Sequence, residues 1–335
     1  MRRRRLGNTD IEVSELAFGA WAIGGRTEGP TSYGETDDKV SLRALRHALA
    51  SGITFFDTSN VYGDGHSETL LGQAFRTDRA NVVFATKVGW PSYTDPADFS
   101  PHGIRTSLEG SLRRLQTDYI DLLQLHNPPL SWRETHPHLL DTLRELTAAG
   151  KVRAIGVSVR SPEEAQAFVA EAAVASIQAN FNMMDTRVIT SGLLPALGEG
   201  GQSFLARTPL CFGFLSGRID QATVFVPGDH RAAWSVEQRR RWIEGAAIFK
   251  SVVESSASGP LHEAALRFCL SFPGVAAVLS GMLNEAEVAQ NAAAIEKGPL
   301  PEPVLQEILI QHEKMTFFLP AAGGSSSNAS VLVKK

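Results

Sequence analysis

The chain has 335 residues, 43% of them hydrophobic and 20% charged, and a formal net charge of −4. This balance supports a large buried core and gives no basic footprint of the kind nucleic acid requires. No apolar run approaches the ~20 residues of a membrane span, no apolar stretch of a secretory leader follows Arg2–Arg5, and Cys211 and Cys269, far apart in apolar segments, read as buried reduced thiols of a cytoplasmic protein.

In chain order, residues 2–13 (RRRRLGNTDIEV) pattern as a short hairpin able to plug the floor of whatever follows. Apolar runs ending in a polar or small residue then recur at 15–21, 52–59, 81–87, 119–126, 153–158, 175–180, 202–208 and 275–281. Continuous runs of this length fit strands buried on both faces. Segments 37–51, 103–117, 135–150, 161–173 and 260–272 carry the three-and-four spacing of helices. Ser161-Pro162 followed by two acids is a helix start, and Gly150 is a helix stop. Alternation of buried strands with helices predicts a parallel sheet. Eight strands predict a closed (β/α)8 TIM barrel, one α/β domain over residues 1–319. An open doubly wound sheet is the alternative, but the GAWAIGG after the first strand does not match its G-x-G-x-x-G turn. Residues 216–236 read as a long functional or mobile loop, and 320–335 as a disordered tail.

In such a barrel the active site lies at the C-terminal strand ends. The second strand ends at Asp57 with Tyr62 in the loop beyond it, the third at Lys87 and the fourth at His126. Singly, each has a bland reading: a turn acid, a rim aromatic, a snorkelling lysine, a loop histidine. At successive strand ends they make joint chemical sense. A phenol with a pKa of about 10 is expected to be lowered by a neighbouring ammonium, here Lys87 held by Asp57, while His126 orients a carbonyl oxygen. A tuned acid/base of this kind suits carbonyl reduction or alcohol oxidation. No side chain supplies hydride, which implies a nicotinamide cofactor.

Across roughly residues 3–318 the chain resembles the aldo-keto reductases, through FFDTSNVYGDGHSETLLGQAF, VVFATKVGW, SLRRLQTDYIDLLQLHNP, AAGKVRAIGVS, IQANFN and PLCFGFLSGR. The resemblance implies a catalytic tetrad of Asp57, Tyr62, Lys87 and His126, with Tyr62 the proton donor. It further implies that Ser158 and Gln178 meet the nicotinamide carboxamide, that Leu210, Gly213, Gly217 and Arg218 wrap the pyrophosphate, that Asn291 meets the adenine end, and that Gly19 and Trp21 lie beside the nicotinamide. Three positions depart from the family pattern. Val159 replaces the usual Asn after Ser158. Arg207 stands where an aromatic usually stacks on the nicotinamide, though a guanidinium can also lie flat on a ring. Leu283 and Glu287 stand where basic residues often bind a 2′-phosphate. The family implies NADP(H), which is the cofactor expected here, whereas Glu287, able to accept from a ribose 2′-hydroxyl, leaves NAD(H) open.

Trp21, Tyr33, Trp90, Asn127 and Trp132 are candidates to line the mouth around a small-molecule carbonyl or alcohol, whether sugar, ketone or simple aldehyde. Oligomeric state is not encoded legibly. His136-x-His138 has the form of a metal pair, but it lies at a helix start without downstream ligands, so no metal is expected. Two other readings are a cofactor-sensing regulatory subunit and a lyase or isomerase retaining the tetrad.

Overall fold

The computed structural model describes residues 1–27, 31–169, 171–226 and 228–319. The expected tail at 320–335 lies outside them. Two short strands, β1 (Arg3–Arg5) and β2 (Glu12–Ser14), form an antiparallel hairpin. The next eight are β3 (Leu16–Gly19), β4 (Phe55–Asp57), β5 (Val83–Val88), β6 (Ile120–His126), β7 (Val152–Ser158), β8 (Val174–Asn180), β9 (Ser203–Arg207) and β10 (Val275–Gly281). All pair in parallel, and β10 closes on β3 to complete the barrel. These are the eight strands the apolar runs predict.

Side chains alternate across each strand, so every second residue faces the barrel axis. At the floor these inward positions are apolar: Ala17, Phe55, Ala85, Leu122, Ala154, Leu205 and Ala277 form one cluster with Leu6, Ile11 and Val13 of the hairpin. The hairpin therefore plugs the barrel, as its position ahead of β3 predicts. Two residues further along, the same faces become polar, with Asp57, Lys87 and Gln124. Register then sets His126 beside Ser158, Ser158 beside Gln178, and Asn180 beside Arg207. A strand that reads as uniformly apolar thus delivers its last inward residues to a common mouth.

The helices differ from expectation in three places. Segment 135–150 splits into Trp132–Thr135 and Leu139–Ala148, because Pro137 disfavours helical backbone at the residue before it. The helix expected over 161–173 stops at Gln166. Beyond it, Gln202 Nε2 donates to the carbonyls of Phe168 and Val174, both at 3.0 Å, which holds the segment by tertiary bonds instead of a helical ladder. Residues 236–255 form a 20-residue helix that the loop reading of 216–236 did not anticipate. Its buried face, Trp242, Ala246, Phe249 and Val253, has helical spacing. It carries the segment after helix Glu302–Glu313 through Gln238 Nε2 donating to Phe317 O at 2.7 Å and through Phe249 stacked on Phe317. The described residues of 217–229 contain no helix or regular strand, but the loop is tied down. A bridge joins Ser32 to Asp229, and the His230 N–H donates to Ser32 O at 2.9 Å.

The loop after β4 approaches the loop after β3 backbone to backbone. At Gly63 the φ of +61° is left-handed, and a Cβ there would fall on the Gly24 carbonyl oxygen. Gly63→Ala is therefore expected to cost at least ~2 kcal/mol and to displace the neighbouring Tyr62. Urea unfolding measures the first effect; an unchanged midpoint would show that the loop adapts freely.

Candidate active site

The geometry begins with Lys87. Its side chain is fully buried, and its ammonium donates to Asp57 Oδ1 at 2.6 Å and to the Thr58 carbonyl at 2.7 Å. Asp57 Oδ2 accepts from Gln124 Nε2 at 2.8 Å and Gln178 Nε2 at 2.9 Å, and Gln178 also donates to Gln124 Oε1 at 3.1 Å. Both oxygens of the carboxylate are thus engaged, as a buried charge requires. Gln124 was not singled out from the sequence. The signal was present, since it lies two residues before His126 and so on the same inward face of β6.

Lys87 Nζ lies 4.8 Å from the centre of the Tyr62 ring, and the Tyr62 and His126 rings meet edge-on with centroids 6.3 Å apart. The sequence expectation that Lys87 lowers the phenol pKa is not met. Burial raises it above the ordinary value, the Asp57 carboxylate raises it further, and Arg207 only partly opposes them. The physical reason is that the Lys87 charge is already matched by Asp57, while a phenolate in this cavity would lose its hydration. Lys87 is itself pushed below its ordinary value by burial, against the pull of Asp57. His126 is held well below its ordinary range by burial, with Lys87 and Arg207 adding to the effect, so the imidazole is neutral. Its Nδ1 is 3.4 Å from Ser59 Oγ, and its backbone carbonyl accepts from Trp90 Nε1 at 2.7 Å.

Asp57, Tyr62 and His126 form one end of a cavity of about 560 Å3 that runs to Leu283, Glu287 and Asn291. Gly19, Trp21, Gln178, Arg207, Leu210, Gly213 and Arg218 line it as well. Ser158 and Gly217 do not. Ser158 stands behind Gln178 and Arg207, its hydroxyl 3.3 Å from each, and Gly217 sits between two lining residues. Arg207 is anchored by Asn180 Oδ1 and Val159 O, both at 2.9 Å. At the far end Arg218 bridges from the loop to Glu287 at 3.4 Å and Gln290 at 3.2 Å, while Glu287 also accepts from Leu283 N at 2.9 Å. Asn291 Nδ2 donates to Ser280 Oγ at 3.1 Å. The size lies within the ~300–1,000 Å3 usual for small-molecule sites. The lining offers Gln178 and Asn180 amides beside Asp57 and Arg207 at the barrel end and an acid–base pair at the other, a donor set that fits a nicotinamide dinucleotide.

Of the candidate substrate residues, Trp21, Tyr33, Trp90 and Asn127 line the cavity. Trp21, Tyr33 and His230 pack mutually edge-on at 4.7–5.0 Å, so His230 of the long loop closes against the aromatic rings of the loop after β3 over the mouth. Trp132 is the exception. It is 4% exposed and stacks on Phe168 at 5.1 Å, away from the cavity, because its helix turns it into the layer outside the barrel. Tyr93 and Arg160 line the cavity without having been identified from the sequence. Arg160 lies two residues past Ser158, the last residue of β7, where the strand-end rule could have found it.

The Lys87–Asp57 pair generates a stability prediction. Asp57→Asn leaves a buried ammonium without its counter-charge and is expected to cost ~3–5 kcal/mol. The double variant Asp57→Asn with Lys87→Met is expected to be more stable than Asp57→Asn alone. Additive losses in denaturant melts would mean that the pair is not coupled.

A sequence profile described as the Aldo/keto reductase family matches residues 15–310. The chain is 32% identical over 290 residues to the aldo-keto reductase YhdN of Bacillus subtilis, covering 84% of this chain and 85% of that one. It is 30% identical over 322 residues to an NADH-specific methylglyoxal reductase of Escherichia coli, covering 88% and 94%. Among solved structures, the glycerol dehydrogenase from Gluconobacter oxydans superposes with a TM-score of 0.78 at 28% identity, covering 97% of this chain and 99% of that one. A barrel with a polar layer at its mouth and matches over most of its length lead to one conclusion: the chain belongs to the aldo/keto reductase family of oxidoreductases.

Proposed function

We propose that the chain interconverts a small polar aldehyde or ketone and its alcohol with a nicotinamide cofactor, Tyr62 being the general acid. The observation that carries this reading is the convergence of Tyr62, the Lys87–Asp57 pair and neutral His126 on one cavity end. When bound, the cofactor supplies hydride. Tyr62 delivers a proton to the carbonyl oxygen, for which a phenol held protonated by burial is suited. The neutral imidazole of His126 orients that oxygen by a hydrogen bond. Lys87 places a positive charge against the ring of Tyr62, so a phenolate formed in turnover is met by a cation. Gln178, backed by Ser158, is the group for the carboxamide, and the tight turn Leu210–Gly213 with Arg218 is the wall for the pyrophosphate. The methylglyoxal and glycerol named for two relatives are small and polar, in keeping with a mouth of Trp21, Tyr33, Trp90 and Asn127.

Between the two dinucleotides we favour NAD(H). Glu287 presents a carboxylate beside Leu283, and the nearby cation, Arg218, is already paired with it. A ribose 2′-hydroxyl can donate to that carboxylate, whereas a 2′-phosphate would be repelled by it. Leu283→Arg is expected to shift the ratio of NADPH to NADH affinity upward about tenfold. Fluorescence titration of both cofactors measures this, and an unchanged ratio would place selectivity elsewhere.

Tyr62→Phe is expected to lower kcat at least ~100-fold with cofactor Kd nearly unchanged. Because the phenol is raised, carbonyl reduction should be flat from about pH 6 to 9, while alcohol oxidation, which needs the phenolate, should rise with pH. Full activity in the Phe variant would sink the mechanism.

A further inference from the structure

The proposed chemistry leaves the Arg160 guanidinium without a task, and Arg207 holds more positive charge than an orienting role requires. Both line the cavity at its His126 end. Arg160 follows β7, and β7 is paired with β6 so that Ser158 lies beside His126. Asn127, next to His126, donates its N–H to Ser158 O at 2.7 Å, which locks the two strand ends together under Arg160.

The surrounding acids are committed elsewhere. Asp185 is taken in two contacts by Arg187, at 2.8 Å and 2.7 Å. Glu164 accepts the backbone N–H of Arg160 at 2.7 Å, not its guanidinium. Asp57 is held by Lys87. Arg207 bonds only neutral acceptors, namely Asn180 Oδ1, Ser158 Oγ and Val159 O. Among the described residues no carboxylate lies within ion-pair distance of Arg160 or Arg207, and the Arg160 guanidinium has no hydrogen-bond partner. Two guanidiniums brought together in a sheltered cavity repel one another. Without a counter-ion that arrangement is unfavourable, and an anion entering beside His126 would relieve it. Guanidinium suits the planar, two-oxygen edge of carboxylate or phosphate better than ammonium does.

We infer that this cavity takes a carbonyl substrate bearing a carboxylate or phosphate group, held by Arg160 with Arg207 behind it, while the carbonyl itself lies between Tyr62 and His126. The inference rests on the carbonyl-reducing reading for the substrate's reactive end, but the anion subsite can be tested separately.

The probes are 4-carboxybenzaldehyde, its neutral methyl ester, and 4-formylphenyl phosphate, offered to the full chain as wild type, Arg160→Met and Arg160→Lys. Calorimetry reads binding without turnover, and kcat/KM is read with NADH and NADPH. The anionic aldehydes should bind wild type at least tenfold more tightly than the ester, ~1.4 kcal/mol. Arg160→Met should erase that advantage, and Arg160→Lys should keep part of it. Whichever anion binds more tightly identifies the group the subsite is built for. Equal binding of anions and ester, or an anion advantage surviving in Arg160→Met, overturns the inference. If the Met variant does not fold, raising salt from about 0.01 M to about 1 M on wild type decides instead. Anion binding should weaken while ester binding holds, and an absence of any salt effect overturns the inference. Anion-selective binding without reduction of any probe keeps the subsite and removes the reductase reading. Reduction of all three at equal kcat/KM does the reverse.

Discussion

Lys87 has no exposure to solvent, yet it carries an ammonium that must be satisfied inside the barrel. Much of the mouth is arranged around that requirement. Asp57 and the Thr58 carbonyl meet the charge from β4 and the loop after it, and Gln124 and Gln178 hold the far oxygen of Asp57 from β6 and β8. Four strands therefore contribute to one buried polar layer directly above an apolar floor. Such a layer is stable only when each member has its partner, so the barrel closes in the register that brings these groups together. The precision of the site and the closure of the fold are in this sense one constraint.

The same burial that makes the pair demanding also sets the protonation states nearby. It keeps the Tyr62 phenol protonated and the His126 imidazole neutral. On the proposed reading, this neutral pair is the state required before a carbonyl substrate arrives. In this arrangement the Lys87 charge acts on the face of the ring from below. On the same proposed reading, that charge would count most when negative charge develops on the oxygen.

Away from the barrel, the cavity is shaped by segments distant in sequence. The loop before the long helix at 236–255 is fastened to residue 32, and Trp21, Tyr33 and His230 interlock over the mouth. At the other end Arg218 crosses to Glu287 and Gln290. The aromatic contacts bound the space near the strand ends, and the ionic ones bound the space where the charges of a dinucleotide would be read.

The eight strands, the plugging hairpin and the positions of Asp57, Tyr62, Lys87 and His126 were legible in the sequence, because each rests on local facts: an uninterrupted apolar run, a two-residue alternation, a polar residue at the strand end. The helix at 236–255 was harder to see, since three consecutive arginines, Arg239 to Arg241, precede its first buried residue and obscure the spacing. Trp132 and Arg160 show the limit more plainly. Both follow strand ends, and nothing in the chain nearby says that one turns out onto Phe168 while the other faces His126. The direction of the Tyr62 shift was misjudged for a related reason: proximity to Lys87 and its pairing with Asp57 could be inferred from the motif, but not how completely the ring is enclosed. What the sequence determined by itself was which strand-end residues face the barrel axis, since strand periodicity is a property of neighbouring residues. Which of them meet, what charge each carries and which remains without a partner were decided by the tertiary structure, since those depend on barrel register and on burial contributed by remote segments.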